Sequence, residues 1–276
     1  MLGKCLKHEW IETWLVGLLC CAGVIVVSIL AFIILPSVPK LAESDVGIYM
    51  LPILIFTLCV MGFVAVAGAL GIGRYYFFYR YYKNLFSDQG YLLHTLPVET
   101  KDLINSKLIV ALIWQYLIAI ACGVAFLFAT AGIYGMFSDD YSSYIEFMKT
   151  MGEGINYLVS VGSFEVILFA ILMFLYPIME VLFLYLAVAI GQLSKKNRFI
   201  MSIVALVGIG FVKKVVTNII SMIASFSTLA AGNITTESMV ARYDAMMIMV
   251  AVAEILAIVG TYIGNLYLVK NKLNLE

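Results

Sequence analysis

From Trp14 to Leu35 the chain reads WLVGLLCCAGVIVVSILAFIIL, with no charged residue anywhere in the run. Helical crossing of a bilayer takes about 20 apolar residues to cover roughly 30 Å of hydrocarbon. Comparable runs recur along the sequence, so the expected fold is an all-α membrane protein with six transmembrane helices. Their expected bounds are 14–35, 49–73, 108–135, 159–193, 199–214 and 245–269, within one membrane domain that takes up 1–276. Composition excludes the soluble alternative. Of 276 residues, 63% are hydrophobic and 12% charged, against about 25% charged in soluble domains. Such a chain has too little polar surface to face water.

Ahead of the first run, Leu2, Cys5, Leu6 and Trp10 fall at helical spacing, with Lys4, Lys7, His8 and Glu12 between them. That pattern predicts a separate interfacial helix over 1–12. The run after Trp14 is too long for a signal peptide and lacks a small-x-small cleavage site, so it is expected to stay as an anchor. The fifth span is short: about 1.5 Å per residue from Phe199 gives roughly 21 Å before Lys213 and Lys214. A re-entrant or interfacial hairpin on the outer face is therefore expected over 215–232, provided protein covers its backbone.

Charge orients the bundle. Lys4, Lys7, Arg74, Arg80, Lys83, Lys101, Lys107, Lys195, Lys196, Arg198, Lys270 and Lys272 share one side, against Lys40, Lys149, Lys213, Lys214 and Arg242 on the other. The positive-inside rule then puts both termini in the cytoplasm, with the acidic loop 137–156 outside. Cys20, Cys21, Cys59 and Cys122 lie in apolar runs and read as reduced, small hydrophobes. Neither their spacing nor that of Cys5 fits a disulfide framework or a metal site. The aromatic run from Arg74 to Lys83 ends a span and reads as an interfacial belt, with no nucleic-acid partner. No HExxH, G-x-S-x-G or phosphate loop occurs, so no catalytic residues are assigned and the chain is not expected to be an enzyme.

Ionisable side chains at bilayer depth are expensive and are functional candidates. Glu180 precedes Lys195, Lys213 follows Arg198 and Glu254 precedes Lys270 by similar lengths of chain. At about 1.5 Å per residue all three lie roughly 22–24 Å from the charged end of their spans. With Lys214 they form an intramembrane polar cluster, read either as an ion-pair brace or as the lining of a cavity or lateral gate. Glu165 is a further candidate for the same surface. Gly260 and Gly264 form a GxxxG pair that would permit close helix packing. Similar small-residue pairs occur at Ala67/Gly71, Ala69/Gly73 and Ala119/Gly123.

The polar stretch FSDQGYLLHTLPVETKDLINSKL separates the second and third spans. Ser87 can cap a short helix, with Asp88 favouring its positive end. Tyr91, Leu92 and Leu93 supply an apolar surface, and Leu96-Pro97 stops it. A new helix, capped near Thr100, then leads into the third span. Phe86-x-Asp88-x-Gly90-Tyr91-Leu92, Thr95-Leu96-Pro97-Val98 and Ser106-Lys107-Leu108 resemble the loop after the second span of type-2 ATP-binding cassette exporter permeases from Gram-positive bacteria. The likeness extends over the whole chain in its interfacial helix, six spans and outer hairpin.

The resemblance implies that 86–107 is a cytoplasmic coupling segment. Within it, Ser87, Asp88, Gly90, Tyr91, Leu92, Leu93, Thr95, Leu96 and Pro97 would dock on a separate ATPase. It further implies two ATPase copies carrying Mg-ATP, no cofactor in this chain, and a second permease chain completing a homo- or heterodimer in the plasma membrane. Cargo would be hydrophobic or amphipathic, such as an antimicrobial peptide. Two other readings stand beside it. One is an ion-coupled secondary transporter using Glu180 and Glu254; the other is a membrane sensor or immunity protein that binds without transporting.

Overall fold

A computed structural model describes residues 2–38, 45–86, 99–137, 142–194, 197–230 and 236–271. Among them every regular element is helical: α1 (Leu2–Ile34), a short 3₁₀ turn (Leu35–Ser37), α2 (Asp45–Phe86), α3 (Thr100–Phe137), α4 (Ser142–Val161), α5 (Ser163–Gly191), α6 (Arg198–Ala230) and α7 (Thr236–Asn271). Six stretches of these helices are long and apolar enough to cross a membrane: Leu2–Ser37, Ile53–Phe86, Thr100–Met136, Phe164–Gly191, Arg198–Ile223 and Asp244–Lys270. Helix satisfies every backbone group internally, which is what a chain this apolar requires in hydrocarbon.

Three element boundaries differ from those expected. The N-terminal amphipathic stretch and the first span form one unbroken helix, α1. Thr13, at the expected break, donates its hydroxyl to the Glu9 carbonyl at 2.8 Å and stays within the helix. Pro36 then ends α1 by forcing the 3₁₀ turn. Second, α6 runs without interruption past Lys213 and Lys214 to Ala230, so 215–230 belong to the same helix as 198–214 and do not form a separate hairpin; its stretch long and apolar enough to cross a membrane ends at Ile223. No Gly or Pro lies between Phe211 and Ala230 to break it. Two hydroxyls on this stretch bond back to the helix: Thr217 donates to the Lys213 carbonyl at 2.9 Å and Ser221 to that of Asn218 at 2.9 Å. Third, the acidic segment expected as an outer loop is largely the amphipathic helix α4. A bend at Gly162 separates α4 from α5, so the fourth apolar helix starts at Ser163, and Pro177 sits inside α5 without ending it.

The helices fall into two packed groups. One comprises residues 7–76 and 113–157. Its core joins Cys20 and Val24 of α1, Ala69 of α2, and Ile118 and Ala125 of α3. Trp10 and Trp114 stack with centroids 4.9 Å apart, and the Trp114 indole donates to the Thr13 hydroxyl at 3.2 Å. A methyl group at Gly17 would overlap the Trp114 ring, so the absent side chain is what lets α1 and α3 approach there. Helix α4 docks on α3 through the Tyr144 hydroxyl, which donates to the Leu127 carbonyl at 3.1 Å, and through the Tyr134 and Phe147 rings, 5.2 Å apart.

The other group comprises 1–6, 77–112 and 158–276. Helix α5 is its centre, packing against both α6 and α7, which meet each other less extensively. Val181, Leu182, Tyr185 and Val188 of α5 are essentially inaccessible. Tyr185 stacks flat on Tyr81 at 3.8 Å between centroids. Two polar ties bind the group laterally: the buried Asn265 amide donates to the Leu182 carbonyl at 3.2 Å, and the Tyr262 hydroxyl donates to Asn105 Oδ1 at 2.9 Å. After α5, Asn197 takes a positive φ of 53°, a conformation Asn tolerates better than most residues. The turn returns the chain so closely that any Cβ at Gly191 would collide with the Ser202 backbone.

Candidate functional site

Helices α5, α6 and α7 line a half-open cavity of about 690 Å³. Its wall is chiefly apolar, with Met179, Phe183 and Leu186 from α5, Ile209 and Val212 from α6, and Ala253 from α7. Glu180 projects from α5 on the adjoining face, and Lys213 and Glu254 line the cavity itself. The three ionisable residues expected at one depth are thus brought to one place by three different helices.

Lys213 and Glu180 form a salt bridge, with side chains 28% and 15% exposed. The Lys213 ammonium also lies 4.7 Å from the centroid of the Tyr176 ring and 6.0 Å from that of Phe183. Both distances are within cation–π range. Glu254 is close enough to interact electrostatically with both Lys213 and Glu180. Its Oε2 is nevertheless buried and accepts no hydrogen bond. Lys213 thereby has a carboxylate and an aromatic face, whereas Glu254 lacks a matched donor.

Lys214 does not join them. It follows Lys213 by one residue, a rotation of about 100° around the helix, and it is exposed outside the cavity wall. Glu165, in the first turn of α5, is not part of that wall either. Gly260 has open space where a Cβ would sit, while at Gly264 a Cβ would lie 3.3 Å from Leu186 Cδ1. Only the second member of the GxxxG pair therefore packs within this helix group. Gly71 and Gly123 likewise face open space, and Gly73 abuts the Ile118 side chain.

The proposed docking residues Ser87, Asp88, Gly90, Tyr91, Leu92, Leu93, Thr95, Leu96 and Pro97 lie outside the described residues, as do Lys195 and Lys196. Glu99 and Thr100 follow, and α3 begins at Thr100 with Asp102 in its first turn, a favourable placement for the helix dipole. All five cysteines are free thiols. Among the described residues no group of three His, Cys, Asp or Glu side chains could hold a metal ion.

Sequence reading missed Tyr176 and Phe183 as partners of the lysine. Their spacing from Glu180 on α5, at i−4 and i+3, was the available signal. It also missed Asn265, an inaccessible amide in the last span whose polarity was itself the clue.

Six long apolar helices support a multi-pass, all-helical membrane protein whose α5–α7 group holds a charged, apolar-walled cavity. Comparison of the chain with protein-family models, curated proteins and solved structures found no significant match.

Proposed function

We propose that this chain is the permease subunit of an ATP-binding cassette exporter. In this reading it moves a hydrophobic or amphipathic substrate across the plasma membrane, has cytoplasmic termini, and draws energy from a separate ATPase. The observation that carries the binding half of this reading is the cavity of about 690 Å³ among α5, α6 and α7. That volume lies in the range of about 300–1,000 Å³ usual for small-molecule sites, and it combines an apolar wall with a few polar groups. The energy-coupling half rests on the resemblance at Phe86–Leu108. Closure of two ATPases on Mg-ATP would push on 87–97 and shift α2 and α3, with a second permease chain completing the pathway. The chain itself would then carry no catalytic residues.

Purification of the tagged chain from its native membranes tests the coupling. An ATPase of the ATP-binding cassette class should co-purify, and the Tyr91→Ala/Leu92→Ala variant should lose it or uncouple hydrolysis from transport. Absence of such an ATPase, or normal coupling in that variant, rejects the reading.

The hydrogen-bond-free Oε2 of Glu254 favours one alternative, an ion-coupled carrier in which Glu254 takes up the coupling ion. Proteoliposomes separate the two. Substrate movement driven by an ion gradient without ATP supports the carrier, and movement that requires ATP and the ATPase supports the exporter.

A further inference from the structure

We infer that the α5–α7 cavity binds an amphipathic organic monocation, with Glu254 as the counter-charge for its cationic centre. As a statement about cargo this rests on the transporter reading above; as a statement about binding it stands on the cavity alone.

The charge balance carries the assignment. Glu180 and Lys213 neutralise each other, and the Lys213 ammonium is further engaged by the Tyr176 ring. Thr217, the hydroxyl on the α6 wall, spends its proton on the Lys213 carbonyl. Two carboxylates thus share the one ammonium of Lys213, which is bonded to Glu180 and reaches Glu254 only through its field, and Glu254 Oε2 is buried without a hydrogen bond. A carboxylate in so apolar a wall is strongly stabilised by any cation brought within a few ångströms. An anionic ligand would meet Glu254 while the nearby ammonium is already occupied. A dication would leave one charge unmatched in apolar surroundings.

Size bounds the ligand as well. About 690 Å³ suits a drug-sized body, so the cavity takes a compact lipophilic cation or a single arm of something larger. The wall supplies the rest of the fit through Met179, Phe183, Leu186, Ile209 and Val212. Gly208 also lines the cavity, and a Cβ built on it meets nothing within 4 Å. That open position provides a way to plug the site without disturbing packing. Gly210, two residues on, likewise faces open space but is not part of the wall.

The test uses the full chain in phosphatidylcholine nanodiscs, without any ATPase. Its probes are tetraphenylphosphonium and tetraphenylborate, which share a shape and differ in sign of charge. Retention is measured above that of protein-free nanodiscs. Saturable retention of the phosphonium and none of the borate is expected. Glu254→Gln should weaken phosphonium binding about tenfold or more. Gly208→Leu should weaken it comparably, and Gly210→Leu should leave it unchanged.

Equal saturable retention of both ions, or wild-type phosphonium affinity in Gly208→Leu, overturns the proposal. Wild-type affinity in Glu254→Gln does the same. If Glu254→Gln does not fold, the Gly208/Gly210 pair decides alone. Saturable phosphonium binding in a protein that shows no ATP-driven transport removes the exporter reading and keeps this one. ATP-driven transport without saturable phosphonium binding does the reverse.

Discussion

The two helix groups each contain a cavity of about 690 Å³, yet the two differ completely in chemistry. In the group built from 7–76 and 113–157, the cavity lies along α1 and α2 and is walled by residues such as Val16, Cys20, Val24, Val64, Ala65 and Ala69. No ionisable side chain of the Asp, Glu, Lys or Arg type lines it. In the α5–α7 group a similar volume carries Lys213 and Glu254, with Glu180 paired to the lysine. An apolar groove in a bilayer offers an acyl chain nothing it lacks elsewhere, because lipid tails are as apolar as the groove. Charge changes that. A cavity that holds ionisable groups discriminates among ligands, so equal volume does not mean equal function.

The sharpest way to break the contrast is to unbalance the charged cavity. Glu180→Ala takes the bonded carboxylate from Lys213, leaving only the field of Glu254, and should destabilise the chain by about 3 kcal/mol, whereas replacing both Glu180 and Lys213 with Met should cost less, about 1–2 kcal/mol, the remainder being the cation that Glu254 loses. Equilibrium unfolding in detergent reads both. Equal losses in the single and double variants would show that the salt bridge is not the unit of stability.

A smaller effect compares close contacts in the two groups. At Gly191 an added methyl meets the Ser202 backbone, which cannot turn away; at Gly17 it meets the buried Trp114 ring, a side chain that can yield only by giving up its stacking on Trp10 or its bond to Thr13. Gly191→Ala should therefore cost about 2–3 kcal/mol and Gly17→Ala about 1–2 kcal/mol. The reverse order, in the same unfolding measurement, would contradict these packing assignments.

The smallest expected change has the opposite sign. Gly260 faces open space on α7, so Gly260→Ala should stabilise by about 0.5–1 kcal/mol through helix propensity. Cross-linking in native membranes supplies the complement. If Gly260→Ala lowers stability and abolishes a cross-linked dimer, the GxxxG pair serves a second chain.

Which residues would share the charged cavity was partly legible from counting alone. Glu180, Lys213 and Glu254 sit at matched distances from the charged ends of their spans, and the folded chain does gather them. Counting could not separate Lys213 from Lys214, because neighbours on a helix differ by about 100° and only the position of α5 decides which one points inward. The same adjacent lysines misled the reading of α6. A pair of charges looks like the end of a span until a partner carboxylate is known, and Glu180 is far away in sequence. Helix α4 was missed for a different reason. Its acidic residues suggested an exposed loop, although Tyr144, Phe147 and Met151 recur at helical spacing and two of them contact α3.

What the sequence determined by itself was the solvent and the architecture: runs this long and apolar leave the backbone no stable option but helices in lipid. What the tertiary structure decided was pairing, namely which lysine meets Glu180, where Glu254 is left without a donor, and which glycines admit a neighbour. The physical reason is range. Burial in hydrocarbon is a property of each segment, whereas salt bridges and close packing depend on atoms that chain order does not bring together.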